Sequence, residues 1–516
     1  MEHFINGFIS ELSTEFYIHQ VLTVMALFFY GFAVMFFIRR KRLSFLDVLL
    51  AYPVSLALYS ISGYFLLSFG IVFNRISVVF MMLLVLAMVF CTVRLWKTSA
   101  EAPVKDKGFS VEKLLNGQSL GKKELIITVA AMTVLILISV SGIFSASATN
   151  DSVYYFGEYP RALVHYGKLN FDLDVFMTDA AQGVAVLGTL PFFFGFDEMY
   201  GVQSFLNIVF IMIFAVSAYD LSGEKTDRKV RKVIVCLSAL MLLTSMPYVI
   251  LSRWFMANAF FMQYMYMAVY LAYRFSGRVE ASDLGILSIV ITGLSIMRIE
   301  GALNTGFIVL CIMMLEYRNR DIAAYMICPV LILQAAYLYR VFGIIKPYVG
   351  VSFMTKQKAA ILIVFLVAML IYTLLIRNRL FKRLLSHYKW LLLGLLAAMN
   401  VIVMIYDSSD YITNLKAFAA NLTRSSGWGL FVSFVAGVLI LVPKKSMKFG
   451  YFDIAAVCYV LLTVVLSWAR GDTLNESFGD SGNRVMIQVV PLVLMVLIVK
   501  IAEGLNYINN NDGIQS

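Results

Sequence analysis

Apolar residues in this chain fall into long blocks, separated by short stretches that hold most of the Lys, Arg, Asp and Glu. Blocks of this length match the roughly 20 residues that a helix needs to cross a hydrocarbon core. A segment in lipid must also satisfy its own backbone polar groups, so helices rather than sheet are predicted. Taken in order, the blocks predict spans at 18–38, 46–68, 75–95, 125–147, 201–220, 233–251, 254–273, a pair within 284–316, and then 322–342, 358–377, 389–406, 428–442, 451–469 and 485–502. The expected fold class is all-α, a polytopic helical membrane protein of about fifteen spans with no soluble module.

Two segments depart from the simple block pattern. Residues 183–196 are apolar but interrupted by Gly188, Pro191 and Gly195, and they are too short to cross, so a re-entrant or interface-lying segment is expected there. Residues 284–316 are long for one span and carry Met297-Arg298-Ile299-Glu300-Gly301 at their middle, which predicts a hairpin of two short helices turning at that point. Loop charge favours the hairpin, because a single helix would put the cationic clusters at Arg377–Lys389 and Lys444–Lys448 on the outer side, against the positive-inside bias.

The same bias sets the topology. Arg39-Arg40-Lys41-Arg42 after the first span places the N-terminus outside, and the C-terminus comes out inside. The first block is too long for a signal-peptide core and is read as a membrane helix. Residues 96–124 form a cytoplasmic linker that divides three leading helices (1–124) from the main membrane core (125–516). Residues 148–200 become a long first outer loop.

Composition narrows the function. The chain is 61% hydrophobic and only 14% charged, with a formal charge of +11. Its cations are dispersed in short loops, so anionic lipid headgroups rather than nucleic acid account for them. The five cysteines (Cys91, Cys236, Cys311, Cys328, Cys458) lie within apolar blocks and read as small hydrophobic filler, and the four histidines are scattered.

Candidate chemistry gathers in four elements expected on the outer side: Asp151–Asp179, Arg298 with Glu300, Tyr406–Arg424, and Arg470–Arg484. Asp151 lies at the lip of the fourth span, followed by Tyr154, Tyr155, Glu158, His165 and Lys168. A carboxylate at that depth is a functional candidate, although Asn150, Asp151 and Ser152 also suit a helix cap. Each half of the hairpin would be roughly 22 Å long against a core of roughly 30 Å, so Arg298 and Glu300 would sit below the membrane surface. There they either brace the turn as an ion pair or line a cavity. Arg484 opens the last span and can offer a phosphate two parallel hydrogen bonds, or simply snorkel. Asp172 and Asp174 resemble a DxD pair able to hold Mg or Mn, but a solvated loop explains the pattern better.

These residues carry a resemblance. A span ending in an outer loop that opens Asn150-Asp151-Ser152-Val153-Tyr154-Tyr155, followed by Tyr159-Pro160 and Gly167-Lys168-Leu169, resembles integral-membrane glycosyltransferases of the GT-C fold. The Arg298–Glu300 turn, and Asn483-Arg484 before an apolar helix containing Pro491, are similar to further features of that family. The resemblance covers residues 125–502 loosely. It implies an inverting transferase that takes sugar from a polyprenyl-phosphate donor to a glycan, lipid or polymer acceptor of the cell envelope. Asp151 would be catalytic base or acceptor-orienting group, and Arg484 the cation that holds the donor phosphate. The site would face the outside of a plasma membrane, expected to be bacterial because a read sequon at Asn150 would obstruct it. An envelope-polymer polymerase or ligase, and a lipid or solute transporter, are the competing classes. A transporter would carry polar residues on across the bilayer midplane.

Overall fold

The computed structural model describes residues 14–40, 42–95, 114–115, 118–140, 157–168, 182–194, 200–223, 226–253, 255–276, 280–298, 300–315, 320–349, 354–375, 378–424, 428–441, 450–469 and 486–512. Among them the regular structure is helical, with one isolated antiparallel bridge between Ser44 and Ser119. The helices are α1 Thr14–Ile38, α2 Phe45–Ser68, α3 Arg75–Leu95, α4 Lys122–Ser139, α5 Tyr159–Tyr166, α6 Gln182–Leu187, α7 Leu190–Phe194, α8 Tyr200–Leu221, α9 Arg228–Thr244, α10 Met246–Arg253, α11 Ala257–Arg274, α12 Ala281–Met297, α13 Gly301–Leu315 and α14 Arg320–Tyr339. After a π-helical turn at Arg340–Ile345 come α15 Lys346–Val349, α16 Lys356–Leu375, α17 Arg379–Leu385, α18 Tyr388–Tyr406, α19 Ser408–Thr423, α20 Gly429–Leu441, α21 Tyr451–Ala469 and α22 Val490–Asp512. Among the described residues seven helices are long and apolar enough to cross a membrane, or eight if α9 and α10 form one bent span. The protein is therefore an all-α protein with the helices of a membrane-embedded chain.

The second helix is central. α2 is almost wholly buried, and it packs against α1, α8, α12 and α6. The approach of α1 needs Gly31, where a Cβ would lie 1.8 Å from the Ala51 carbonyl oxygen, so only hydrogen fits. One continuous hydrophobic cluster joins Val24 and Leu50 of these leading helices to Phe210, Tyr266, Ile291 and Leu494. By contrast α16, α18 and α20 turn residues such as Val364, Ile402 and Ile440 outward, as helices facing lipid do.

The predicted hairpin is present. α12 ends at Arg298, whose φ of −144° and ψ of 160° are extended, and α13 begins at Gly301 and packs back against α12. A Cβ on Gly301 would come within 2.5 Å of the Ser295 oxygen and 2.7 Å of the Leu294 oxygen, so the reversal depends on glycine.

Two expectations need correction. The span expected at 233–251 is two helices, α9 and α10, bent by 67° about Ser245. Pro247 lies in the first turn of α10, where its missing N–H costs nothing, but it cannot continue α9. Within the expected loop at Tyr406–Arg424, α19 buries Tyr411, Asn414, Ala417, Phe418 and Asn421, an apolar and amide stripe at helical spacing. Of the two forms expected for residues 183–196, re-entrant or interface-lying, the short helices α6 and α7 with buried Val184–Leu187 and Leu190 side chains fit the re-entrant one.

Ion pairs mark the two ends of the bundle. At one end Arg39 donates from Nε to Asp47 at 2.9 Å and from Nη1 to Asp283 at 2.5 Å, tying α1 to α2 and α12. Nearby in the same layer are the Arg274–Asp220 pair and Lys500 with Asp453 and Glu503. α12 then carries the chain from Asp283 to Arg298, about 22 Å away at 1.5 Å per residue. The far end is where the candidate site lies.

Candidate functional site

At the Arg298 end the hairpin tip, the start of α11 and the middle of α21 converge. Arg298 Nε donates to Glu300 Oε1 at 2.5 Å, and the side chains are 10% and 11% exposed. Arg298 Nη1 also donates to Asn258 Oδ1, from the first turn of α11. The extended backbone at Arg298 turns its side chain off the α12 axis, toward both partners. Glu300 is drawn in further through its backbone, since its carbonyl accepts from Asn304 N and Asn304 Nδ2, each at 3.1 Å. Asn304 Oδ1 is buried and accepts no hydrogen bond.

Tyr459 of α21 is fully buried, lies within electrostatic reach of Glu300 and Arg298, and donates its hydroxyl to Gln488 Oε1. A second set of amides continues inward beside this cluster. The Ser252 carbonyl accepts from Gln203 Nε2 at 2.5 Å and from Asn207 Nδ2 at 3.1 Å, and Gln263 Nε2 donates to Asn207 Oδ1 at 2.6 Å. The bend between α9 and α10 is what brings the Ser252 carbonyl, at the end of α10, to α8.

The third cluster at this end lies on the π-helical turn after α14 and on α5. Arg340 opens the π-helical turn, is completely buried, and donates from Nη2 to Tyr159 Oη at 2.8 Å. Tyr64 near the end of α2 feels the charge of this guanidinium. α5 owes its buried face to Tyr159, Pro160, Ala162 and Leu163, and it ends on Gly167 at φ 64°, a left-handed cap suited to glycine. The Gly167 carbonyl accepts from Phe73 N at 2.6 Å, which ties α5 to the segment after α2.

The expected site residues divide accordingly. Arg298 and Glu300 are brought together, nine-tenths buried, at the tip of the hairpin. Glu158, His165 and Lys168 are on the exposed side of the α5 segment, and the His165 ring stands edge-on to Tyr166. They face away from Tyr159, so the buried member of this run is the tyrosine rather than the charged residues. Asp151, Tyr154, Tyr155, Asp172, Asp174 and Arg484 lie outside the described residues. Among the described residues no three His, Cys, Asp or Glu side chains gather as metal ligands.

Asn258, Tyr459, Gln488 and Arg340 were not singled out from sequence, and Tyr159 was named only within the Tyr159-Pro160 motif. The available signal was the Arg at the end of an otherwise apolar span, which reads equally well as a snorkelling side chain. No family model, curated protein or solved structure matches the chain.

Proposed function

We propose that the chain is an integral-membrane glycosyltransferase that moves a sugar from a polyprenyl-phosphate donor to an envelope glycan, lipid or polymer on the outer face of a bacterial plasma membrane. The observation that carries this reading is the Arg298–Glu300–Asn258 cluster, nine-tenths buried at the tip of a hairpin too short to cross a membrane. A buried charge pair on a broken helix is costly in lipid and is retained where it meets a polar ligand. The finer topology of about fifteen spans, with α12 and α13 as half-depth helices, belongs to the same reading.

In the reaction the acceptor hydroxyl oxygen attacks C1 of the donor sugar. The C1–O bond to phosphate breaks as the new C1–O bond forms, and the phosphate leaves as an anion. Asp151 takes the hydroxyl proton, while Arg298 and Arg484 neutralise the charge that develops on the leaving oxygen. Glu300 and Asn258 hold the Arg298 guanidinium in place, so its position is set before substrate arrives. The exposed Glu158, His165 and Lys168 are suited to contact the acceptor, not the leaving phosphate.

A second reading, transport of a lipid or solute, is favoured by the bend between α9 and α10 and by the Gln203–Asn207–Gln263 amides that extend the polar region inward. Purified protein in detergent micelles distinguishes the two. A transferase turns over labelled polyprenyl-phosphate sugar there and loses turnover in Arg298→Ala, whereas a transporter gives signal only in sealed vesicles. Absence of transfer in micelles, with accumulation in vesicles, would reject the enzyme.

A further inference from the structure

We infer that Arg340 and Tyr159 form a buried binding site for a lipid-borne phosphate, separate from the Arg298 cluster. The inference rests on the proposed reading only in that both involve a phosphate carried on a lipid.

The guanidinium of Arg340 is 0% exposed, yet only Nη2 has a partner, the hydroxyl of Tyr159 at 2.8 Å. Nε and Nη1 are buried and donate to nothing. No carboxylate pairs with Arg340 among the described residues, which sets it apart from Arg39, Arg274 and Arg298, each of which has at least one. Arginine stays charged even when buried, and an uncompensated buried cation is among the most expensive groups a protein can hold. Tyr159 is a neutral partner and does not balance it. The site is complete only with an anion.

Geometry selects the kind of anion. Nη2 has two hydrogens and Tyr159 accepts one. The other lies on an edge of the guanidinium shared with either Nε or Nη1, both of which are unpartnered. One full fork of two parallel N–H groups therefore remains, and it matches two oxygens of a phosphate. The surroundings indicate how the phosphate arrives. Arg340 belongs to the region where Tyr64, Ile296, Leu333, Val341 and Leu362 pack as a separate apolar cluster. The helices that build it, α14 and α16, present Ile332, Ile361 and Val364 on the exposed apolar face. An anion with an apolar tail can place its chain against those helices and its phosphate beneath them. The π-helical turn that starts at Arg340 shifts the register of α14 at this point, a local widening that recurs at ligand sites. The phosphate would belong either to the lipid-linked sugar donor or to a phospholipid of the bilayer.

The test uses the full chain, delipidated in maltoside micelles that contain no phosphate. Native mass spectrometry and thermal melting are read with farnesyl phosphate, farnesol, phosphatidylglycerol and inorganic phosphate as probes. Wild type should bind one farnesyl phosphate or one phosphatidylglycerol and gain melting temperature, while farnesol should do neither. Whichever phospho-lipid binds more tightly identifies the source, and binding of inorganic phosphate alone would overturn a lipid site. Arg340→Gln should weaken the bound lipid at least about tenfold, since two charge-assisted hydrogen bonds are lost. Arg340→Lys should recover part of the affinity and Tyr159→Phe should lose less than Arg340→Gln. Without ligand, Arg340→Gln should melt no lower than wild type, because it removes an unbalanced buried charge. A purely structural arginine predicts the reverse, a lower ligand-free melting temperature with unchanged lipid binding, and that result would overturn the proposal. Unchanged lipid binding together with intact sugar transfer in Arg340→Gln sinks this inference alone. Phosphate-dependent lipid binding without sugar transfer in wild type sinks the enzyme and leaves the site.

Discussion

The Arg298–Glu300 pair offers the sharpest test of how the hairpin tip is held. With both side chains about nine-tenths buried and Asn258 holding Arg298 from the other side, removing one charge leaves the other in a poorly solvated site without its ion-pair partner. Breaking such a pair from one side typically costs about 3–5 kcal/mol, whereas replacing both members with apolar groups of similar volume is often close to neutral. Glu300→Gln and Arg298→Met should therefore each lower the melting temperature of the purified protein by several degrees. The double variant Arg298→Met with Glu300→Leu should recover most of that loss, giving a coupling energy of about 2–3 kcal/mol in the cycle. Melting is followed by intrinsic fluorescence in maltoside micelles, alongside transfer from a labelled polyprenyl-phosphate sugar. The proposed function adds a second condition: the stable double variant remains inactive, because the cation facing the leaving phosphate is gone. Additive losses in stability would refute the pairing, and a stable, active double variant would refute the role of Arg298.

Gly301→Ala should destabilise by about 1–3 kcal/mol, as overpacking does, because its Cβ would lie 2.5 Å from the Ser295 oxygen; a melt indistinguishable from wild type would contradict the tight reversal. At the opposite end Arg39→Gln should cost about 3–5 kcal/mol by leaving Asp47 and Asp283 without their shared cation, and an unchanged melt would show that the network is not coupled. Asp151→Asn should keep the fold and donor binding but lower transfer by about a hundred- to ten-thousand-fold; near-normal turnover would assign Asp151 to helix capping. Impermeant thiol labelling of single cysteines, introduced after removal of the native ones, should modify 148–200 and 407–427 in intact cells and spare 96–124 and 378–388; the inverse pattern would overturn the topology.

Much of the helical framework was legible from the chain, for a definite reason. In lipid the backbone leaves few alternatives to helix, so the apolar blocks at 18–38, 46–68, 75–95 and 451–469 correspond closely to α1, α2, α3 and α21. The Arg298–Glu300 reversal was legible too, because the apolar run is long for one span, carries two charges and a glycine at its middle, and as a hairpin keeps the later cationic clusters inside. Hydropathy carries less information about where a helix bends or what lies on a loop. The step at Ser245 is hidden within a continuous apolar run, and α19 shows only as a weak three-to-four spacing within a polar stretch.

What tertiary structure alone decided is which polar residues are buried and with whom. Arg340, Arg298 and Arg39 are all arginines at the end of an apolar segment, and nothing local distinguishes them. Packing against α2 and α5 buries Arg340 beside Tyr159, with no carboxylate paired to it among the described residues. The turn after α12 gives Arg298 its glutamate, and α2 with α12 gives Arg39 two aspartates. Burial and pairing depend on residues far apart in the chain, so they appear only when helices assemble. The composition of this protein required membrane helices, while the assembly decided which of its arginines pair with a carboxylate.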